Sequence, residues 1–182
     1  MKEVKPFEQG ELDGLCGIYS IINSVRRIKE GKILKADEAG IDERNELFLA
    51  ILNYLHNHYH GLVFMIDGIS IQAIAGILRD IIEPKYNITR KRPFDKRPDV
   101  KLPEFWDSMQ SFMKDTPNGA ILLGLGGKHD HWTVVESITD KGMYVMDSDG
   151  LIHFNRGSCT TSARTGVRKK HQLIPTHAYF LS

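Results

Sequence analysis

The sequence predicts an α+β domain in which helices from the first two-thirds of the chain pack on an antiparallel sheet supplied by the last third. Three observations carry this. Apolar residues recur at helical spacing up to about residue 114, strand-length apolar runs separated by tight turns follow from residue 119, and no repeat or low-complexity segment interrupts the order. A length of 182 residues with 41% hydrophobic and 26% charged residues fits one domain spanning residues 1–182 with a sizeable core of its own.

The elements follow in order. Residues 17–29 form a helix with Ile18, Ile21, Ile22 and Val25 on one face, ended by Gly31. Residues 42–59 form a second, offering Leu47, Leu49, Ile51, Leu52 and Leu55 to the core. Residues 70–82 form a third, stopped by Pro84. Residues 86–92 alternate as a strand does. Residues 103–114 form a fourth helix with Phe105, Trp106, Met109 and Phe112 on its apolar side. Residues 119–125 read as a short buried strand that ends in Gly-Leu-Gly-Gly. Residues 132–137 and 143–146 read as a hairpin turned by Asp140, Lys141 and Gly142. Residues 151–154 are a further strand candidate, and residues 172–181 a last strand interrupted by Pro175.

The stretch QGELDGLCG, residues 9–17, runs directly into the apolar IYSIINSV. It places Cys16 in the first turn of a buried helix. A helix N-terminus carries unpaired N–H groups and partial positive charge, which favour a thiolate and can hold a developing oxyanion. A base and an orienting group are supplied by KHDHWTVVESITDKGMYVMDSDG, residues 128–150. His131 opens the first strand of the hairpin and Asp147 closes the second, so antiparallel pairing brings an imidazole and a carboxylate together across sixteen positions. A cysteine activated by a histidine that a third polar group orients is the general form of a thiol nucleophile.

In chain order, a glutamine, a cysteine at a helix start, a histidine at a strand start and an aspartate at the next strand end resemble the papain-like cysteine peptidases. The forms DGLCG, HWTVV and YVMDSDG are most similar to the bacterial branch that includes the double-glycine leader peptidases of bacteriocin export. The resemblance covers the first thirty residues and roughly residues 119–150. It implies a papain-like layout, with Cys16 as nucleophile, His131 as base and Asp147 orienting the base. The Gln9 side chain would join the Cys16 backbone N–H in the oxyanion hole. The chain departs from that branch in placing Asp13 three residues before the cysteine and in a longer Gln9–Cys16 spacing.

Alternatives stand beside these roles. His129 competes with His131 for the base, and Asp149 competes with Asp147, although Asp149 precedes Gly150 and suits a turn. Asp13 is read as an N-cap or turn residue. Gly124, Gly126 and Gly127 lack the Lys-Ser/Thr pair and following helix of a phosphate loop, and are read as a loop giving His131 room. His56, His58 and His60 fit a cation-favouring helix end better than a metal site. The segment GSCTTSARTG, residues 157–166, is read as a mobile loop bordering the cleft.

Composition narrows the classes. A net charge of +1 gives no global drive toward nucleic acid or acidic membranes. The basic stretches Arg90, Lys91, Arg92, Lys96, Arg97 and Arg164, Arg168, Lys169, Lys170 lack aromatic interleaving, so they are read as solvated faces, or as a docking face for an acidic protein. No apolar stretch approaches the roughly 18 residues of a membrane span, and the N-terminus lacks the apolar core of a secretory signal. Two cysteines, Cys16 and Cys159, are too few for a disulfide framework, so a reducing cytoplasm is expected, with specialised export to another cell left open. The expected function is a thiol-dependent hydrolase acting on a peptide or isopeptide bond, needing no cofactor or metal. Acyl transfer, as in a transglutaminase, and deamidation are alternatives on the same residues. A catalytically silent peptide-binding module is a third.

Overall fold

The computed structural model describes residues 14–29, 43–59, 64–162 and 171–182, together with Pro6 and Glu8. Helix α1 (Cys16–Ile28) buries Ile18, Ile21, Ile22 and Val25 as its spacing predicts, and also Ser20, Asn23, Ser24 and Arg27. It is therefore enclosed nearly all round. Arg27 is held in the interior by donating from Nε to Gly119 O (2.9 Å) and from Nη2 to Pro117 O (3.4 Å). In α2 (Glu43–His58), Leu47, Ile51 and Leu55 enter the core, but Leu49 is 55% exposed, because it falls off the i, i+4 stripe the other three define.

A short helix α3 (Phe64–Asp67) follows, with no counterpart among the expected elements. Helix α4 (Ile71–Ile77) is capped by Ser70, whose Oγ accepts from the Ala73 N–H at 3.2 Å. It continues through a π-helical segment (Leu78–Ile82) into α5 (Glu83–Tyr86). Pro84 therefore does not stop the helix. Proline removes one N–H and crowds the carbonyl four residues back, and the wider π segment takes up that mismatch, leaving Pro84 in the first turn of α5. The helix ends instead at Asn87, in the left-handed region at φ +50°. The expected strand at residues 86–92 shrinks accordingly to β1 (Arg90–Lys91).

Helix α6 (Leu102–Asp115) buries Phe105, Trp106 and Met109, with Phe112 against Phe180 at 4.9 Å between ring centroids. Strands β2 (Ala120–Gly126), β3 (His131–Ile138), β4 (Gly142–Met146), β5 (His153–Asn155), β6 (Cys159–Thr160) and β7 (His171–Leu181) complete a seven-stranded sheet in the order β1-β7-β2-β3-β4-β5. β6 pairs beside β7 in parallel; the other registers among the described residues are antiparallel. Part of the segment read as a mobile loop is thus strand β6, while residues 163–170 lie outside the described residues.

Helices cover both faces of the sheet. α1, α2 and α4 pack with Leu122, Trp132, Val134 and Tyr179 on one face. α6 packs with Ile121, Leu123, Val135, Val145 and Phe180 on the other. This is why β2 reads as an unbroken apolar run rather than an alternating one. Pro175 does not break β7. It lies where the β2–β7 register jumps from Leu123↔Ala178 to Leu125↔Leu173, so the residue that cannot donate falls in a bulge of the ladder. Among the described residues no helix is long and apolar enough to cross a membrane.

Candidate active site

Cys16 is the first residue of α1, and Leu15, not Asp13, occupies the N-cap position. Asp13 and Gln9 lie outside the described residues. The chain entering α1 is gripped from the α3 side. Gly14 donates its N–H to Met65 O at 2.6 Å, and a Cβ on Gly14 would stand 2.5 Å from Ile66 O. Only glycine allows that approach, which carries residues 67–71 to the edge of the cysteine. One turn further on, the buried Ser20 hydroxyl donates to Trp132 O at 2.8 Å. That bond ties α1 to β3 beside His131 and sets the separation of sulfur and imidazole.

The hairpin does what its alternation implies. Val134 pairs with Met146, so Asp147 stands one step beyond, across from Thr133 and diagonal to His131. His131 Nε2 and Asp147 Oδ2 are 2.9 Å apart. Asp147 Oδ1 accepts from the backbone N–H groups of Asp149 (2.8 Å) and Leu151 (3.2 Å). Both carboxylate oxygens are therefore committed, and at 2% exposure the group cannot exchange them for water. Burial alone disfavours the Asp147 anion; the His131 hydrogen bond, a contribution from Thr133 and the imidazolium charge outweigh it and hold the carboxyl below its ordinary range. Burial likewise opposes the His131 cation. The Asp147 hydrogen bond and charge, with hydrogen-bonding and charge contributions from Cys16, reverse this and raise the imidazole to about 10. Nε2 is taken by the carboxylate, so Nδ1 is the ring nitrogen left for the sulfur.

Cys16 and His131, each 8% exposed, open on one cleft of about 190 Å³. Asp67, Ile69, Gly124, Asp130, Trp132 and His177 are among its lining. The sulfur is thus reachable from outside. Cys159 is fully enclosed, its thiol donating to Asn155 O at 3.4 Å.

The alternative residues sit elsewhere. His129 Nε2 lies 2.9 Å from His171 Nδ1, with the two rings stacked, and does not line the cleft. Asp149 is exposed, and its backbone N–H serves Asp147. His58 Nδ1 lies 2.8 Å from Tyr54 O, and its ring stacks on Tyr54; His60 is outside the described residues. Among the described residues no group of three or more His, Cys, Asp or Glu is placed to hold a metal. In the first basic stretch Arg90, Arg92 and Arg97 are paired with Glu83, Asp95 and Glu104, so it is largely neutralised within the fold. The second stretch is outside the described residues. Thr161 and Ser162 line a separate cavity with residues 98–101 and β7, not the cleft of Cys16.

Three ionisable lining residues escaped the sequence reading: Asp67, Asp130 and His177. Pro175 within an apolar strand was the available signal for His177, since a bulge re-aims the side chains beside it. Gly124 and Gly126 are not loop residues but belong to β2, where His177 and Gln172 cross them. A Cβ on Gly124 would lie 2.6 Å from His177 Cβ, and one on Gly126 would lie 2.9 Å from Gln172 Oε1. Gly124→Ala is expected to push His177 and the β7 bulge aside at a cost of about 1–3 kcal/mol, visible as a lowered melting temperature. An unchanged melt would mean the bulge moves freely.

Fold and site together define an α+β protein that brings a cysteine at a helix start and a histidine to one open cleft, with an enclosed aspartate bonded to the histidine. No protein-family model matches the chain, and no curated protein matches it.

Proposed function

We propose that the protein is a thiol-dependent hydrolase of peptide or isopeptide bonds, with a papain-like arrangement of Cys16, His131 and Asp147. The observation that carries the reading is the His131 imidazole, joined to the enclosed Asp147 carboxylate on one nitrogen and lining the same cleft as Cys16, whose thiol contributes to keeping it protonated. His131 takes the Cys16 proton and holds it as the imidazolium. The sulfur attacks the substrate carbonyl, forming the S–C bond, and the oxyanion is met by the Cys16 backbone N–H at the start of α1. His131 then delivers its proton to the leaving nitrogen as the C–N bond breaks. Water, giving a proton back to His131, attacks the acyl-enzyme, and the S–C bond breaks to release the acid and restore Cys16. Asp147 fixes the ring orientation and balances its charge throughout.

Intact-mass analysis after treatment with a peptide vinyl sulfone tests this. A single adduct at Cys16, absent from Cys16→Ala and strongly slowed in His131→Ala, is the expected result. Equal slow labelling of Cys16 and Cys159 would point to a binding module instead. Comparison of protein N-termini between parent and Cys16→Ala cells then identifies the bond that is cut.

A further inference from the structure

The cleft beside Cys16 carries charge for which the hydrolytic chemistry has no use. Asp67, the last residue of α3, and Asp130, immediately before β3, both line it. Both are exposed, and neither is in an ion pair among the described residues. Asp130 stands in the left-handed region at φ +42°, a conformation that aspartate and asparagine tolerate and most side chains avoid. Its backbone is thus set in an uncommon conformation next to His131, where such strain tends to accompany function.

Among the described residues the rest of the lining offers no competing cation: no lysine or arginine is part of it. The His131 imidazolium is matched by Asp147. His177 is kept neutral, since burial, and then the charge of Arg92, hold it below its ordinary range. Its Nδ1 lies 3.1 Å from Thr176 Oγ1 and its ring faces Trp132 at 5.6 Å, so it presents a neutral polar edge to the cleft. Arg92 itself is spent on Thr176 O (2.6 Å), on Asp95 and on the Tyr179 ring. At about 190 Å³ the cleft has the volume of roughly six liquid waters, enough for one extended side chain.

We propose that Asp67 and Asp130 hold a cationic side chain of the substrate, so that the enzyme cleaves beside lysine or arginine in preference to neutral or acidic residues. The inference rests on the hydrolase reading and names its substrate class. Two exposed carboxylates acting on one cation imply a rate preference of about tenfold, reduced by salt.

The test uses acetyl-capped lysyl, norleucyl and glutamyl acyloxymethyl ketones, which differ only in the side chain, and follows the rate of Cys16 modification by intact mass. Near 20 mM salt the lysyl probe is expected to react about ten times faster than the norleucyl one, with the glutamyl probe slowest. The lysyl-to-norleucyl ratio is expected to fall toward about two at 0.5 M salt and in the Asp67→Asn/Asp130→Asn variant. Asparagine keeps the left-handed backbone at position 130, so the variant retains the fold. Equal lysyl and norleucyl rates, or a ratio unmoved by salt and by the double variant, overturn the proposal and leave the hydrolase reading standing. A gain confined to an uncapped norleucyl probe assigns the carboxylates to a substrate N-terminus and overturns the side-chain assignment. No modification of Cys16 by any probe overturns both.

Discussion

Replacing Cys16 with alanine is expected to lower turnover by roughly 10⁴-fold or more while leaving the fold in place. The loss is large because, in the proposed mechanism, the sulfur forms and breaks the covalent bond to the substrate, and no other thiol is placed to substitute for it. Cys159 is fully enclosed and belongs to the core on the α6 face of the sheet. The structural cost is small, about 1 kcal/mol, because the change removes one sulfur atom from a residue that borders the cleft at the edge of the core. Steady-state rates and thermal melts of the same sample check both halves. Retained turnover would remove Cys16 from the chemistry. A collapsed melt would show that the sulfur packs rather than reacts.

Removal of the Asp147 carboxylate has the second largest expected effect, and it is felt in rate and in stability together. Asp147→Asn should reduce turnover by about 10²–10⁴-fold, since His131 loses the charge that keeps it protonated and oriented. Asp147→Ala should in addition cost about 3–5 kcal/mol, because it leaves a buried imidazole and the N–H groups of Asp149 and Leu151 without their acceptor. The pH dependence has a definite sign. His131 is raised, so its share of stability is complete below about pH 6.5 and is lost as pH rises toward about 10. Asp147 is lowered, so its share is complete above about pH 4 and is lost as pH falls below that. The pair therefore contributes most between about pH 4 and 6.5. Thermal melts of the parent should decline on the alkaline side of that window, and those of Asp147→Asn should decline much less. Parallel curves would separate the pair from the stability of the fold.

The parts of this protein that follow from local pattern were legible in the sequence. The i, i+3, i+4 spacing of Ile18, Ile21, Ile22 and Val25 placed α1, and the turn at Asp140–Gly142 between two apolar runs placed the β3–β4 hairpin, hence the meeting of His131 with Asp147. What stayed hidden depends on contacts between distant segments. Pro84 reads as a helix stop, and only the neighbouring π segment lets the helix continue through it. Leu49 reads as a core candidate, but the face of α2 that meets α1 is chosen by packing, not by hydrophobicity alone. Gly124 and Gly126 read as loop glycines, because the side chains that demand them, His177 and Gln172, lie some fifty residues away on another strand. For the same reason the cleft was legible only in its chemistry. Cys16 and His131 stand out by residue type and order, whereas Asp67, Asp130 and His177 belong to it by proximity alone.

The central claim is that a cysteine sulfur and an enclosed carboxylate act jointly on one imidazole. Titration of the His131 ring by NMR measures this directly, in the parent and in Cys16→Ser and Asp147→Asn. The ring is expected to stay protonated to about pH 10 in the parent and to titrate lower in each variant. A His131 that titrates near 6.5 in the parent, unmoved by either substitution, would contradict the account.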